Sequence, residues 1–156
     1  MKYICPLLSV EDIQVSRDFY EKILGQEVKY EHGKNVTFEG DFVIHEKAHF
    51  QELLGDKEIV QGSNSFELYF ESDEFNKLME SITENNVELV HELKEQPWRQ
   101  QVIRFYDPDQ HIIEVGESMN HLCERLRKEG HTESEVQELT GLPQEFVEFV
   151  FSMNDE

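Results

Sequence analysis

The stretch FELYFESDEFNKLMESITENNVELVHELKEQPWRQQVIRFYDPDQHIIEVG (Phe66–Gly116) decides the fold, because its order of elements already occurs once upstream. Phe66–Glu71 alternates apolar and polar residues as a half-buried strand does. Asp73 stands where a helix cap is expected, and Phe75, Leu78, Met79 and Ile82 follow at i, i+3, i+4, i+7 spacing. Asn85-Asn86 closes that helix, and strands are expected at Glu88–His91, Val102–Tyr106 and Ile112–Gly116. The upstream copy opens on a strand at Tyr3–Ser9. A helix follows that starts at Asp12, carries Val15, Phe19, Tyr20, Ile23 and Leu24, and stops at Gly25. Three strands come next, Glu27–Glu31, Asn35–Glu39 and Phe42–His45, parted by His32-Gly33-Lys34 and Gly40-Asp41. Each copy reads βαβββ. The connector Lys47–Asn64 carries a short helix around Ala48–Leu54. A single copy would bury too little on its own, so the two are expected to share a core.

Beyond the second copy the texture changes. Met119, Leu122, Cys123 and Leu126 form one helical stripe ending at Gly130, and Thr132–Glu135 is a capping-box start with Gly141 as its stop. Pro143, at an N1-like position, opens a third helix with Phe146, Val147 and Val150. Residues 1–117 are thus read as one domain of two repeats (about 3–46 and 66–117), and 118–156 as a helical extension. The fold class is α+β, with paired βαβββ modules forming a curled mixed sheet around a cavity.

Composition narrows the partners. The chain has 156 residues, 14 Lys+Arg against 34 Asp+Glu, and a formal net charge of −20. Eleven Phe and 38% hydrophobic residues exclude a disordered acidic tail. The acidic excess argues against nucleic acid, whose phosphates need clustered Lys/Arg, and against an anionic membrane surface. No apolar run reaches the roughly 18–20 residues that span a bilayer. Glu11 interrupts the N-terminal segment before a secretory core could finish. With only Cys5 and Cys123 there is no disulfide framework, so a reducing cytoplasm is expected.

Strand parity then sorts the side chains. Ile4, Leu8 and Val10, Val36 and Phe38, Phe42 and Ile44, Leu68 and Phe70, Ile103 and Phe105, and Ile113 and Val115 suit a core. The opposite parity holds Leu7, Ser9, Asn35 and Val43, and a chemically richer set: Cys5, Thr37, His45, Glu67, Tyr69, Arg104 and Glu114. Such a set has no use in an apolar core and suits a ligand site.

Three motifs in order, VEDIQVSRDFYEKILG (Val10–Gly25), ELYFESDEF (Glu67–Phe75) and PWRQQVIRFYDPDQHIIEVGE (Pro97–Glu117), resemble the vicinal oxygen chelate superfamily. That superfamily includes glyoxalase I, bleomycin-resistance proteins, fosfomycin-resistance enzymes and extradiol dioxygenases. The resemblance covers Met1–Glu117 and implies metal ligands at Cys5, His45, Glu67 and Glu114, and a homodimer. Cys5 stands where the family usually has His, which disfavours dioxygenase chemistry. Gln110 and Arg99 replace glycines of the family pattern; Gln110 would need a left-handed backbone or another turn type, and Arg99 would alter the cavity rim. Two carboxylates and an imidazole suit Zn, Ni, Fe or Mn, and a thiolate favours Zn.

Three readings follow. In the first, a glyoxalase-like lyase or isomerase holds a small oxygenated substrate on a divalent metal and stabilises an enediolate. Glu114 and Glu67 would be its bases, and Tyr69, Arg104, Thr37 and Trp98 its substrate contacts. In the second, the cavity has no metal and binds a small molecule, as bleomycin-resistance proteins do. Trp98, Tyr69, Phe105 and Tyr106 then outweigh the carboxylates. In the third, the extension regulates transcription, since TESEVQELTGLPQEFVEFV resembles the turn of a helix-turn-helix. Its charge of −6 over residues 118–156 has the wrong sign for phosphate, so packing or dimerisation is preferred.

Overall fold

The computed structural model describes residues 1–153, so the final residues 154–156 of the extension lie outside the described residues. The strands form two four-stranded sheets rather than one continuous sheet, ordered β1-β4-β3-β2 and β5-β8-β7-β6. The chain divides into two compact units that do not coincide with the two repeats. The first comprises Met1–Glu67, Asn76–Glu88 and Tyr106–Ile112, and the second Leu68–Phe75, Leu89–Phe105 and Ile113 onward.

In the first unit, β1 (Leu7–Val10) runs parallel to β4 (Val43–Glu46), while β2 (Val28–His32) and β3 (Asn35–Phe38) complete the sheet antiparallel. Helix α1 (Ile13–Leu24) begins at Asp12, whose carboxylate accepts from the Gln14 and Val15 N–H groups, and ends at Gly25 with φ 61°. It packs its buried Tyr20 onto Phe38 and Phe42, with ring centroids 5.5 and 5.0 Å away. Val10, Val36, Phe38 and Ile44 are fully buried beside them. A short helix, α2 (Lys47–Leu53), follows β4, and the body of α3 (Phe75–Glu84) belongs to the same unit.

The Asp-Pro-Asp turn locks α1 in place. Asp107 is buried and accepts from the Tyr20 hydroxyl (2.8 Å), His111 Nδ1 (2.8 Å) and the Asp109 and His111 N–H groups. Asp109, also buried, accepts from the Ser16 hydroxyl, the Glu11 N–H and Gln61 Nε2. Burial pushes the Asp109 carboxyl up, and the Glu11 and Ser16 donors offset this only in part. Burial opposes the His111 proton, but the hydrogen bond and charge of Asp107 prevail and raise its pKa.

In the second unit, β6 (Leu89–Glu95) pairs antiparallel with β7 (Gln101–Tyr106), and β8 (Ile112–Gly116) lies between β7 and β5 (Glu67–Glu71). Ile103, Phe105, Ile113 and Val115 are buried there. Glu117, just past β8, is fully buried. It accepts from Arg125 (2.6 Å), His121 Nδ1 (2.9 Å) and the Gln101 N–H (2.9 Å). Burial alone would raise its pKa, yet the Arg125, Gln101 and His121 hydrogen bonds hold it below the usual range. This pair ties helix α4 (Met119–Lys128) to the sheet. Helices α5 (Glu133–Thr140) and α6 (Gln144–Ser152) then close a small core of Leu122, Cys123, Leu126, Val136, Val147 and Val150. Burial, then the charge of Glu117, pushes the Cys123 thiol up to about 11, as befits a packing residue.

Several expectations shift. The first strand starts at Leu7, not Tyr3, because Pro6 has no N–H for the ladder and offers only its carbonyl, to the Val43 N–H. Strand β6 runs on to Glu95 despite its polar sequence, with two register shifts against β7. Asp73 accepts from the Ser118 N–H and hydroxyl, so it serves the start of α4. Pro143 occupies the N-cap of α6 rather than its first helical position.

Gln110 does adopt left-handed backbone, with φ 66°, and Arg99 is found there too, with φ 72°. Gln110→Gly is therefore expected to stabilise the protein by about 1 kcal/mol, read from the urea midpoint. A second prediction concerns His111. Its folded pKa is raised, so its contribution is fully present below the unfolded value of about 6.5 and is lost as pH rises through the folded pKa. The stability difference between wild type and His111→Asn should shrink as pH rises from below about 6.5 through the raised folded pKa. Urea titrations across that window check it, and a difference that stays constant or widens would refute it.

Candidate functional site

The face of the first sheet opposite α1 carries a polar row. Ser9 on β1 is the Cα partner of His45 on β4, and Asn35 on β3 is its partner on the other side. Side chains paired in this way stand next to one another on one face of the sheet. Ser9 and His45 are 8% and 4% exposed, and Asn35 is half-buried. Ser9 Oγ, Asn35 Oδ1 and His45 Nδ1 are all buried without a hydrogen-bond partner. Each such atom costs about 1–3 kcal/mol when nothing meets it. His45 Nε2 lies 2.8 Å from His49 Nδ1 on α2, and the Phe50 ring is 5.4 Å from the His45 ring. Burial, then the neighbouring His49, lowers the His45 pKa, which keeps the ring neutral near neutral pH.

The second unit holds a polar track of its own. Arg104 on β7 forms an ion pair with the buried Glu114 on β8 and donates to His91 Nε2 on β6 (3.2 Å). Beside it the Trp98 Nε1–H donates to Gln100 Oε1 (2.8 Å). Gln100 Nε2 donates to the Tyr69 hydroxyl (2.8 Å) and to the Glu117 carbonyl, and that hydroxyl donates to Glu71. Gly116 is required here, since a Cβ would sit 2.5 Å from the Gln100 amide nitrogen. On this track Glu114 Oε2 makes no hydrogen bond but is met by the Arg104 charge, and the Trp98, Gln100 and Tyr69 tips are hydrogen-bonded.

The expected metal ligands are distributed as follows. Cys5 is half-buried ahead of β1, and His45 is buried in the row. Glu67 is exposed at the start of β5, where it lines a cavity of about 310 Å³ with Asn64, Ser65, Phe66 and Ile112. Glu114 is committed to Arg104. Among the described residues, no group of three or more His, Cys, Asp or Glu could hold a metal ion. As arranged, the donor set does not fit a resident divalent ion, because no third donor joins its members and its buried carboxylate already has a guanidinium. Thr37 is half-buried on β3, while Tyr69 and Trp98 are exposed. Parity had placed Ser9 and Asn35 on the ligand face, but nothing in the sequence set them apart. The sequence carries one signal for His49, its i+4 spacing from His45.

The sequence profile of the glyoxalase-like domain family matches residues 3–120. A protein of unknown function from Agrobacterium tumefaciens is 39% identical. The match covers 76% of this chain and 95% of that one, with a TM-score of 0.69. A glyoxalase/bleomycin resistance protein/dioxygenase from Nocardioides is 19% identical over 75% of this chain and 83% of its own, with a TM-score of 0.59. The fosfomycin resistance protein FosX from Mesorhizobium loti is 18% identical over 80% and 97%, with a TM-score of 0.57. These last two likenesses concern the fold alone. No curated protein matches the chain. Among the described residues no helix is long and apolar enough to cross a membrane. With its paired βαβββ order and the profile match over most of its length, the chain belongs to the glyoxalase-like domain family of the vicinal oxygen chelate superfamily.

Proposed function

We propose that this chain binds a small molecule on the Ser9–His45–Asn35 face without a resident metal. The observation that carries the reading is the set of three buried, unpartnered polar atoms on one row. A fold keeps such atoms where something other than the chain completes them. The Arg104–Glu114 ion pair supports the same reading, since a metal-dependent lyase of the expected type would need Glu114 for the metal. Removing one partner of a buried pair is costly, so Glu114 has little reason to leave Arg104.

The reading predicts a separation of stability from binding. Ser9→Ala deletes a buried hydroxyl that has no partner, so it should leave the unliganded protein unchanged or stabilise it by up to about 1 kcal/mol. The same substitution should weaken the gain in melting temperature that ligands give in a small-molecule screen run with a chelator present. Hits that appear only with added Zn, Ni or Mn, and vanish in Glu114→Ala, would replace this reading with the metal-dependent lyase.

A further inference from the structure

Helix α2 lies over the row yet holds on weakly. It packs against β4 and β1, but none of its residues is buried. Its N-cap, Glu46, makes no side-chain capping bond, and there is no acid in its first turn and no base in its last. A seven-residue helix with no buried side chain has little to keep it closed over three unmet polar atoms. Its first residue, Lys47, is held by Glu11 (2.7 Å) and Gln61 (3.2 Å), and beyond that end its polar tether is the contact of His49 Nδ1 with His45 Nε2, at 2.8 Å.

The proton on that contact decides what the row offers. An isolated neutral imidazole side chain prefers its hydrogen on Nε2. If His49 follows that preference, its Nδ1 is an acceptor, and the His45 Nε2–H must donate to it. His45 then also has its preferred form, and its buried Nδ1 is a bare acceptor. Asn35 Oδ1 is a second acceptor, and Ser9 Oγ both accepts and donates. The charged residues flanking the row in sequence are paired, Lys34 with Glu46 (3.0 Å) and Lys47 with Glu11 (2.7 Å). With that tautomer the row shows two bare acceptors beside the Ser9 hydroxyl, and no uncompensated charge.

We propose that the row takes an uncharged ligand presenting at least two hydrogen-bond donors, such as a primary carboxamide or a vicinal diol, and that α2 closes over it with His49 as latch and positioning residue. The inference deepens the proposed function and rests on it. A ligand of this kind fills the acceptors that α2 otherwise covers empty, so closure and binding favour one another. A carboxylate ligand would bring lone pairs against lone pairs and is rejected.

Nitrogen-15 NMR of the histidine rings in the whole protein, with glycolamide, 1,2-propanediol and glycolate as probes, tests this together with amide exchange in α2. The expected result is a His45 ring protonated at Nε2 only. Glycolamide and the diol should shift Nδ1 and slow exchange in α2 by about tenfold, as one retained hydrogen bond would. Glycolate should do neither. His49→Phe should abolish the slowing and release the single His45 tautomer, while His49→Gln, which keeps an acceptor, should restore both. A His45 ring protonated at Nδ1, or a preference for glycolate, overturns the ligand class while leaving the row as a binding site. If none of the three probes reaches His45, and the melting-screen ligands bind Ser9→Ala as well as wild type, the proposed site itself falls.

Discussion

Two buried carboxylates set the frame of the first unit. Asp107 and Asp109 lie about a hundred residues from the helix they hold, yet seven donors converge on them, from Tyr20, His111, Asp109, Ser16, Glu11 and Gln61. A buried carboxylate without such donors would be strongly destabilising, and with them it has one acceptable geometry. The turn therefore fixes the azimuth of α1, and α1 in turn covers the Val36, Phe38 and Ile44 side of the sheet. The alternate parity is left for Ser9, Asn35 and His45. The site's location follows from where that helix is pinned.

Much of this was legible from residues alone. The recurrence of βαβββ, the Asp12 and Thr132 caps, the Gly25 and Gly141 stops and the face shared by Asn35, Thr37 and His45 all rest on local periodicity, which the chain does not override. What escaped were features set by distant partners. Asp73 looks like a helix cap but is claimed by Ser118, forty-five residues away. Glu114 looks like a metal ligand but faces Arg104 on the next strand, a pairing that needs the register of β7 and β8. Ser9 is among the least conspicuous residues of the chain, and only its burial beside an unpartnered imidazole gives it meaning.

The charge of −20 divides in the same way. Most acids among the described residues are exposed, where water solvates them. The buried ones are structural: Asp107 and Asp109 pin α1, Glu114 pairs with Arg104, and Glu117 binds Arg125 and His121 to seat the C-terminal helices. The proposed binding row contains no acid at all. In this chain a fold often associated with carboxylate-metal chemistry has its buried carboxylates tied to cations and hydroxyls, and the unmet polar atoms of the Ser9–His45–Asn35 row are on uncharged side chains.

The most direct test of that account is a crystal structure of the protein as purified, read at the Ser9, Asn35 and His45 side chains. The account predicts density for an uncharged organic group within hydrogen-bond distance of Ser9 Oγ, Asn35 Oδ1 and His45 Nδ1, with the Arg104–Glu114 pair intact. A divalent ion on His45 and Glu114, or a row closed by protein atoms or water alone, would contradict it.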